Sequence, residues 1–293
     1  MGSFSWSVFF MMGNVVKAII KNGPQRYKQD THSPRDCVYH LRRMKNHSSG
    51  GNTMKKVLGI LAAGLLMVGA VSAQETTVDA GLDILSGYVW RGGVIGADDK
   101  VVLQPSIGLT FGESGVSAGV WGSAFAQSRG ALDGADEVDF FIDYSTSLGE
   151  DSPLGISVGF TEYLFPNGGA GAKHSEEAYI GISMDHAISP SLTFYYDFGL
   201  ADAWYLVFAA GTDVPLGDAE DGPALSIGVS AAASDYGGKT GLNDITGTAS
   251  VTFPAGQFSI TPKVGLTYAD DKINIDNTSF WGGINIGISF GGE

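Results

Sequence analysis

Cysteine is almost missing from this 293-residue chain: Cys37 is the only one. From residue 54 onward there can be no disulfide and no thiolate chemistry. Positive charge is scarce as well. Of 17 Lys+Arg, eight lie in residues 1–53 and two are Lys55 and Lys56, which leaves seven against 29 of the 31 acids and a net charge near −22. A surface of that sign excludes nucleic acid as a partner. Histidine is reduced to His174 and His186 after residue 53, so few groups could serve as a base or a nitrogen ligand. Helical periodicity is absent after Ala73.

Two amino-terminal segments differ from the rest. Met54-Lys55-Lys56, the apolar run Val57 to Ala70 and Val71-Ser72-Ala73 have the basic, apolar and small-residue parts of a secretory signal peptide, with cleavage expected after Ala73. As a membrane helix the run is short and has no stop-transfer charges. Residues 1–53 are basic and show no sustained period; they read as a mis-assigned translation start or disordered leader, with an organelle-targeting leader as the alternative. The organisation expected is therefore 1–53 leader, 54–73 signal peptide and 74–293 β-barrel.

What the rest of the chain does have is a period of two. Val138, Phe140, Ile142 and Tyr144 alternate with Asp139, Asp143 and Ser145, and similar alternation recurs through Leu154–Phe160, Ile180–Met184, Leu192–Phe198, Leu225–Val229, Phe258–Tyr268 and Ile284–Phe290. Counting the runs gives about twelve strands of membrane-crossing length, centred near Leu85, Ile107, Val120, Ile142, Val158, Ile182, Phe194, Phe208, Val229, Ala249, Val264 and Ile286. Short and long connections alternate in nine of eleven cases. The neighbouring exceptions, Gly199–Ala203 and Gly217–Pro223, suggest one misplaced boundary near Trp204.

A soluble β-sandwich also alternates, but its inner face must be dry. Here the second face is Asp, Ser, Thr, Asn and Gly. Tyr88, Trp90, Tyr163, Trp204, Tyr268 and Trp281, with Phe165, Tyr205 and Phe280, gather where long loops begin or end, as an interfacial aromatic girdle would. The fold class expected is all-β: a transmembrane antiparallel up-and-down β-barrel in the bacterial outer membrane.

In order along the chain, "SGYVWRG" (86–92), "GVSAGVWGSAF" (115–125), "EVDFFIDYS" (137–145), "GISVGFTEYLFP" (155–166) and "AWYLVFAAGTDVPL" (203–216) resemble the TorF-type porins, also called the Gcw family. The resemblance is strongest from Asp79 to Leu216 and implies a Gram-negative outer-membrane protein. One departure stands at the carboxyl end, where the aromatic that assembly machinery reads, Phe290, is followed by Gly291-Gly292-Glu293.

The function expected is passive diffusion of small solutes. By parity the inward set is Asp79, Asp83, Arg91, Asp139, Asp143, Asp185, Asp197 and Lys263, so a conducting lumen should favour cations. Arg91 is expected near the outer rim, either reaching across to Asp139 or Asp143, or solvated, or bonded to loop carbonyls. The alternative is a non-conducting barrel, plugged by rings such as Trp121, Phe125 and Phe141, that serves as an anchor or binding surface.

An outer-membrane lipid hydrolase is least favoured, because the adjacent His174 and Ser175 sit in the predicted loop Pro166–Glu177 and would point opposite ways in a strand. His186 is given a structural role, and the acidic loops near Asp218 and Asp270 lack the spacing of a calcium loop. No enzyme activity, metal or cofactor is read from the residues. The partners expected are outer-membrane lipid and lipopolysaccharide, the barrel assembly machinery and small solutes.

Overall fold

A computed structural model of the chain describes residues 76–95, 101–126, 136–167, 174–219, 222–271, 273 and 277–291. The leader and the signal peptide lie outside these residues. Among them the secondary structure is β apart from two short 3-10 turns, 112–114 and 236–238.

Twelve strands close into an antiparallel barrel: β1 (Thr76–Leu85), β4 (Val102–Phe111), β5 (Val116–Phe125), β6 (Glu137–Ser147), β7 (Leu154–Leu164), β8 (His174–Met184), β9 (Ser191–Asp197), β10 (Ala203–Pro215), β11 (Ala224–Ser234), β12 (Gly241–Ala255), β13 (Phe258–Ala269) and β14 (Thr278–Phe290). Each pairs with its neighbour in sequence, and β1 pairs with both β4 and β14 to seal the sheet. Closure satisfies every strand edge, which an open sheet of alternating residues would leave exposed.

The alternation decides the faces. Ile107, Val120, Phe140, Val158, Ile180, Ile227, Val229, Leu266 and Ile286 point outward and are exposed, while Asp139, Thr161, Glu177 and Asp197 on the other parity are buried inside. The apolar side groups are therefore on the outside of the wall. Buried apolar side chains sit within the barrel and only towards one end: Leu85, Tyr88, Trp90, Ile95, Val102 and Phe125 in one cluster, Tyr179, Tyr195, Tyr205, Val207 and Tyr236 in another.

That end carries the connections 86–101, 126–136, 165–173, 198–202, 235–240 and 270–277, and is here the loop end. The turn end carries 112–115, 148–153, 185–190, 216–223 and 256–257. The two exceptions to the length alternation are real, and no boundary near Trp204 is misplaced, since Ala203 to Ala209 pair in unbroken register with Asp197 to Ser191. The short 198–202 connection is held by side chains. The Asp197 carboxylate accepts from the backbone N–H of Gly199 and Ala201 at 3.0 and 3.1 Å, and Ser175 Oγ accepts from Leu200 N–H at 2.7 Å. Asx-type turns of this kind replace backbone partners that a longer loop would draw from water.

The first strand is where expectation and structure part. It ends at Leu85, not beyond Trp90. Ser86 N–H donates to Gly282 C=O and Ser86 Oγ accepts from Gly282 N–H, and the chain then leaves the wall. It returns as a small hairpin, β2 (Tyr88–Trp90) and β3 (Gly93–Ile95), that is no part of the barrel sheet. The link is Arg91-Gly92, both with positive φ, 43° and 81°. Two such residues are what a tight type I′ hairpin link requires, and at arginine that backbone conformation is strained.

Candidate functional site

The β2–β3 hairpin folds into the lumen and fills its loop end. Tyr88 is 4% exposed, Trp90 and Arg91 7%. Trp90 and Tyr88 therefore do not belong to an outward girdle: the Ser86-Gly87 break turned their parity inward. Ring against ring, Tyr88 packs on Trp121 with centroids 5.8 Å apart, and its hydroxyl donates to Glu137 at 3.1 Å. Burial first, then the nearby Glu137 and Asp139 carboxylates, push the Tyr88 phenol well above its ordinary pKa, so it remains a donor.

Arg91 crosses to the opposite wall. Its two terminal nitrogens each donate at 2.7 Å to one oxygen of Glu177 on β8, and one of them also donates to Tyr236 Oη at 2.6 Å. Above and below the guanidinium lie Trp90, Tyr195 and Tyr205, with ring centroids 4.4–4.6 Å from its central carbon. Burial, the largest single influence, opposes the charge, but Glu177, Tyr236 and Tyr163 together outweigh it, so the guanidinium is held well above its usual pKa. A two-pronged carboxylate pair inside an aromatic cage combines the strongest geometries available to arginine. Tyr163 Oη completes Glu177 with a 2.9 Å hydrogen bond. Burial likewise raises the Tyr236 phenol above its ordinary value.

A bulge fixes the hairpin tip. Between β11 and β12 the register shifts at Ala232/Ala233, so consecutive residues Asn243 and Asp244 both point inward. Asn243 Nδ2 donates to the Arg91 carbonyl at 2.7 Å, and its own oxygen accepts from Ser234 Oγ at 2.6 Å. Asp244 accepts from Tyr205 Oη at 3.0 Å. Gly92 touches this wall closely: a Cβ there would sit 2.8 Å from Ala269 Cβ and 3.0 Å from Asp244 Cβ.

The expected charge cluster is thus partly assembled and partly not. Arg91 pairs with Glu177, not with Asp139 or Asp143. The acid that catches it lies five strands round the barrel from β1, and nothing in sequence spacing identified it. Asp139 is fully buried and, among the described residues, neither of its oxygens has a hydrogen-bond partner. Asp143 accepts from Tyr179 Oη at 2.8 Å. Asp83 forms an ion pair with Lys263 at 2.6 Å, a third of the barrel wall away from the Arg91 cage by strand order. Asp197 faces inward but serves the 198–202 turn. Asp185 is exposed in the 185–190 turn and does not line the lumen. Asp79 stands on the inward parity of β1, paired with Gly108 and Ser289.

The girdle changes in the same way. Tyr163, Phe165 and Tyr205 are buried inside, and Trp281 lies inward across Gly265. Trp204, Tyr268 and Phe280 keep the outward face at the loop end, where Phe140, Phe160, Tyr196 and Phe198 join them; Phe160 and Phe198 rings lie 6.1 Å apart. Trp121, Phe125 and Phe141 are inward, and Trp121 and Phe125 form part of the hairpin's packing.

His174 opens β8, so it is not in a loop. Its ring lies outward beside Glu162 and Glu176, while Ser175 turns inward and donates to Asp197 at 2.8 Å. The two cannot act as base and nucleophile on one substrate. His186 lies in the 185–190 turn, where its Nδ1 accepts from Ile188 N–H at 3.4 Å.

The Gcw_chp family, bacterial proteins of unknown function, matches residues 69–291. No curated protein matches in sequence. Among solved structures, the KdgM porin is similar at 13% identity over 73% of this chain and 99% of that one, with a TM-score of 0.47. The NanC porin is similar at 14% identity, 73% and 98% coverage and a TM-score of 0.44. An outer-membrane channel from Pseudomonas putida F1 is similar at 11% identity, 74% and 94% coverage and a TM-score of 0.37.

Proposed function

The chain belongs to the Gcw_chp family of bacterial proteins, and from that premise and the lumen just described we propose that it is an integral outer-membrane barrel of the TorF porin type. On this reading it passes small solutes, cations by preference, through a lumen whose loop-end mouth the Arg91 hairpin narrows. An outward face carrying Ile107, Val158, Ile180, Val229, Leu266 and Ile286 in the open is at home in lipid and not in water. Residues 1–73 would be absent from the mature protein, so terminal sequencing should begin at Gln74.

The observation that carries the cation preference is the state of the lumen's charges. Arg91 and Lys263, its two described cations, are already paired with Glu177 and Asp83. Among the described residues, Glu137, Asp139, Asp143 and Asp244 form no ion pair, and neither oxygen of Asp139 has a hydrogen-bond partner. The negative potential of carboxylates set behind the wall's inner surface favours cations over anions along a solute path beside them. Purified protein in a planar bilayer under a tenfold KCl gradient should give a reversal potential of the cation-selective sign. An anion-selective sign would defeat the reading.

A second reading, the plugged anchor, is favoured by the hairpin itself, which packs Tyr88, Trp90 and Arg91 into the mouth. It predicts no conductance steps from the wild-type protein under any gradient. Outer-membrane lipid, lipopolysaccharide and the assembly machinery that reads Phe290 would be the partners in either case. Catalysis forms no part of either reading, since His174 and Ser175 leave β8 on opposite faces.

A further inference from the structure

Outside the barrel, at the loop end of β7 and β8, three side chains converge that the lumen does not use. Glu162 and Glu176 are direct cross-strand partners, and His174 stands two residues before Glu176 on the same outward face. His174 Nδ1 lies 3.1 Å from Glu162 Oε1 and 3.5 Å from Glu176 Oε1, and the three ligand-type atoms all fall within 4.8 Å of one another. Two carboxylates facing each other across a strand pair repel. One imidazolium can offset only one of them.

The carboxylates are also sheltered. The Glu176 side chain is 7% exposed, and among the described residues its carboxylate has no partner other than His174. Glu162 Oε2 is buried with no hydrogen-bond partner there. Two sheltered carboxylates this close, one of them with an unpartnered oxygen, are a costly arrangement unless a cation sits beside them.

We infer that Glu162, His174 and Glu176 form a binding site for a divalent transition ion of the zinc class. Ligands about 2.0–2.2 Å from a tetrahedral zinc lie roughly 3.3–3.5 Å apart, close to the two distances from His174. The imidazole nitrogen argues for zinc over calcium or magnesium, which take oxygen. Three protein ligands would leave one position open. Bound there, the ion ties β7 to β8 on the outer surface, independently of whether the lumen conducts.

The sequence carried half of this signal. His174-Ser175-Glu176 puts two ligands on one face of a strand, but Glu162 joins them only through the β7–β8 register.

Isothermal titration of ZnCl2 into the purified, chelator-treated protein in detergent tests the site. One saturable equivalent of Zn2+ is expected in the wild type, bound at least tenfold more weakly by His174→Ala and by Glu176→Gln. Because the His174 side chain is 45% exposed, its removal leaves the barrel intact, which heat-modifiable gel migration checks. His186→Ala should bind as the wild type does, and equimolar Ca2+ should not displace the ion. No saturable uptake, uptake undiminished in His174→Ala, or displacement by Ca2+ would each overturn the assignment.

Discussion

The two halves of the lumen are built from different residues. At the loop end the inner wall carries Tyr163, Tyr195, Tyr205, Trp121 and Phe125, with Glu137, Asp139, Glu177 and Asp244 among them, and the β2–β3 hairpin occupies the space they enclose. At the turn end the inward positions are Gly181 between Ser157 and Thr193, Gly228 between Gly211 and Thr248, Ser226 opposite Ser250, and Ser259 opposite Gly287. Of these only Gly181 is buried. Small side chains cannot reach across a twelve-stranded barrel, so that half is left open to water, and its hydroxyls meet only neighbours along the wall, as Ser226 Oγ does in donating to Asp213. Large aromatic rings make the other half dry enough for each polar group to need one. The same wall thus holds a packed core at one end and a wet vestibule at the other.

The largest effect on this contrast should come from Arg91→Ala. It leaves Glu177 buried without its cation, which costs about 3–5 kcal/mol where a site stays dry. Urea unfolding of the barrel in detergent measures the loss, and bilayer recordings should show larger steps as the hairpin releases. A cost below about 1 kcal/mol would mean that the loop end is as wet as the turn end, and the contrast would fail.

Gly92→Ala should follow. The φ of 81° disfavours any side chain, and the new Cβ meets Ala269 and Asp244, so about 2–3 kcal/mol is expected from strain and overpacking together. Next comes Asn243→Ala, which strips the Arg91 carbonyl of its donor and should cost about 1–2 kcal/mol. In the vestibule, Ser226→Ala and Thr248→Ala should each stay within about 0.5 kcal/mol, since water replaces what is lost. Unfolding midpoints at unchanged slope would rank all five variants on one scale.

Much of the wall was legible in the sequence because its information is local. Alternation marks the faces, and each of the twelve strands pairs with chain neighbours, so a run such as Val138 to Leu148 announces both its structure and its orientation. The lumen was legible only in sign. The acids at Asp83, Asp139, Asp143 and Asp197 do face inward, yet which of them meets Arg91 depends on geometry across the barrel, and the answer, Glu177, stood outside the expected set. Tyr88 and Trp90 were misplaced because Ser86-Gly87 breaks the strand without breaking the parity pattern: even-numbered apolar residues continue on both sides of the break. Asn243 was hidden for the opposite reason, since a bulge puts two neighbours on one face where alternation forbids it.

The partners of Arg91 lie 86, 145 and 152 residues further along the chain, at Glu177, Tyr236 and Asn243. A segment translated near the start of the barrel is thus completed only by strands made much later, and β1 itself waits for β14. Until then the hairpin carries an uncaged arginine and two unburied aromatic rings. The Arg91 cage is therefore complete only when β8, β11 and β12 have taken their places, so the hairpin's seating reports the closure of distant parts of the wall.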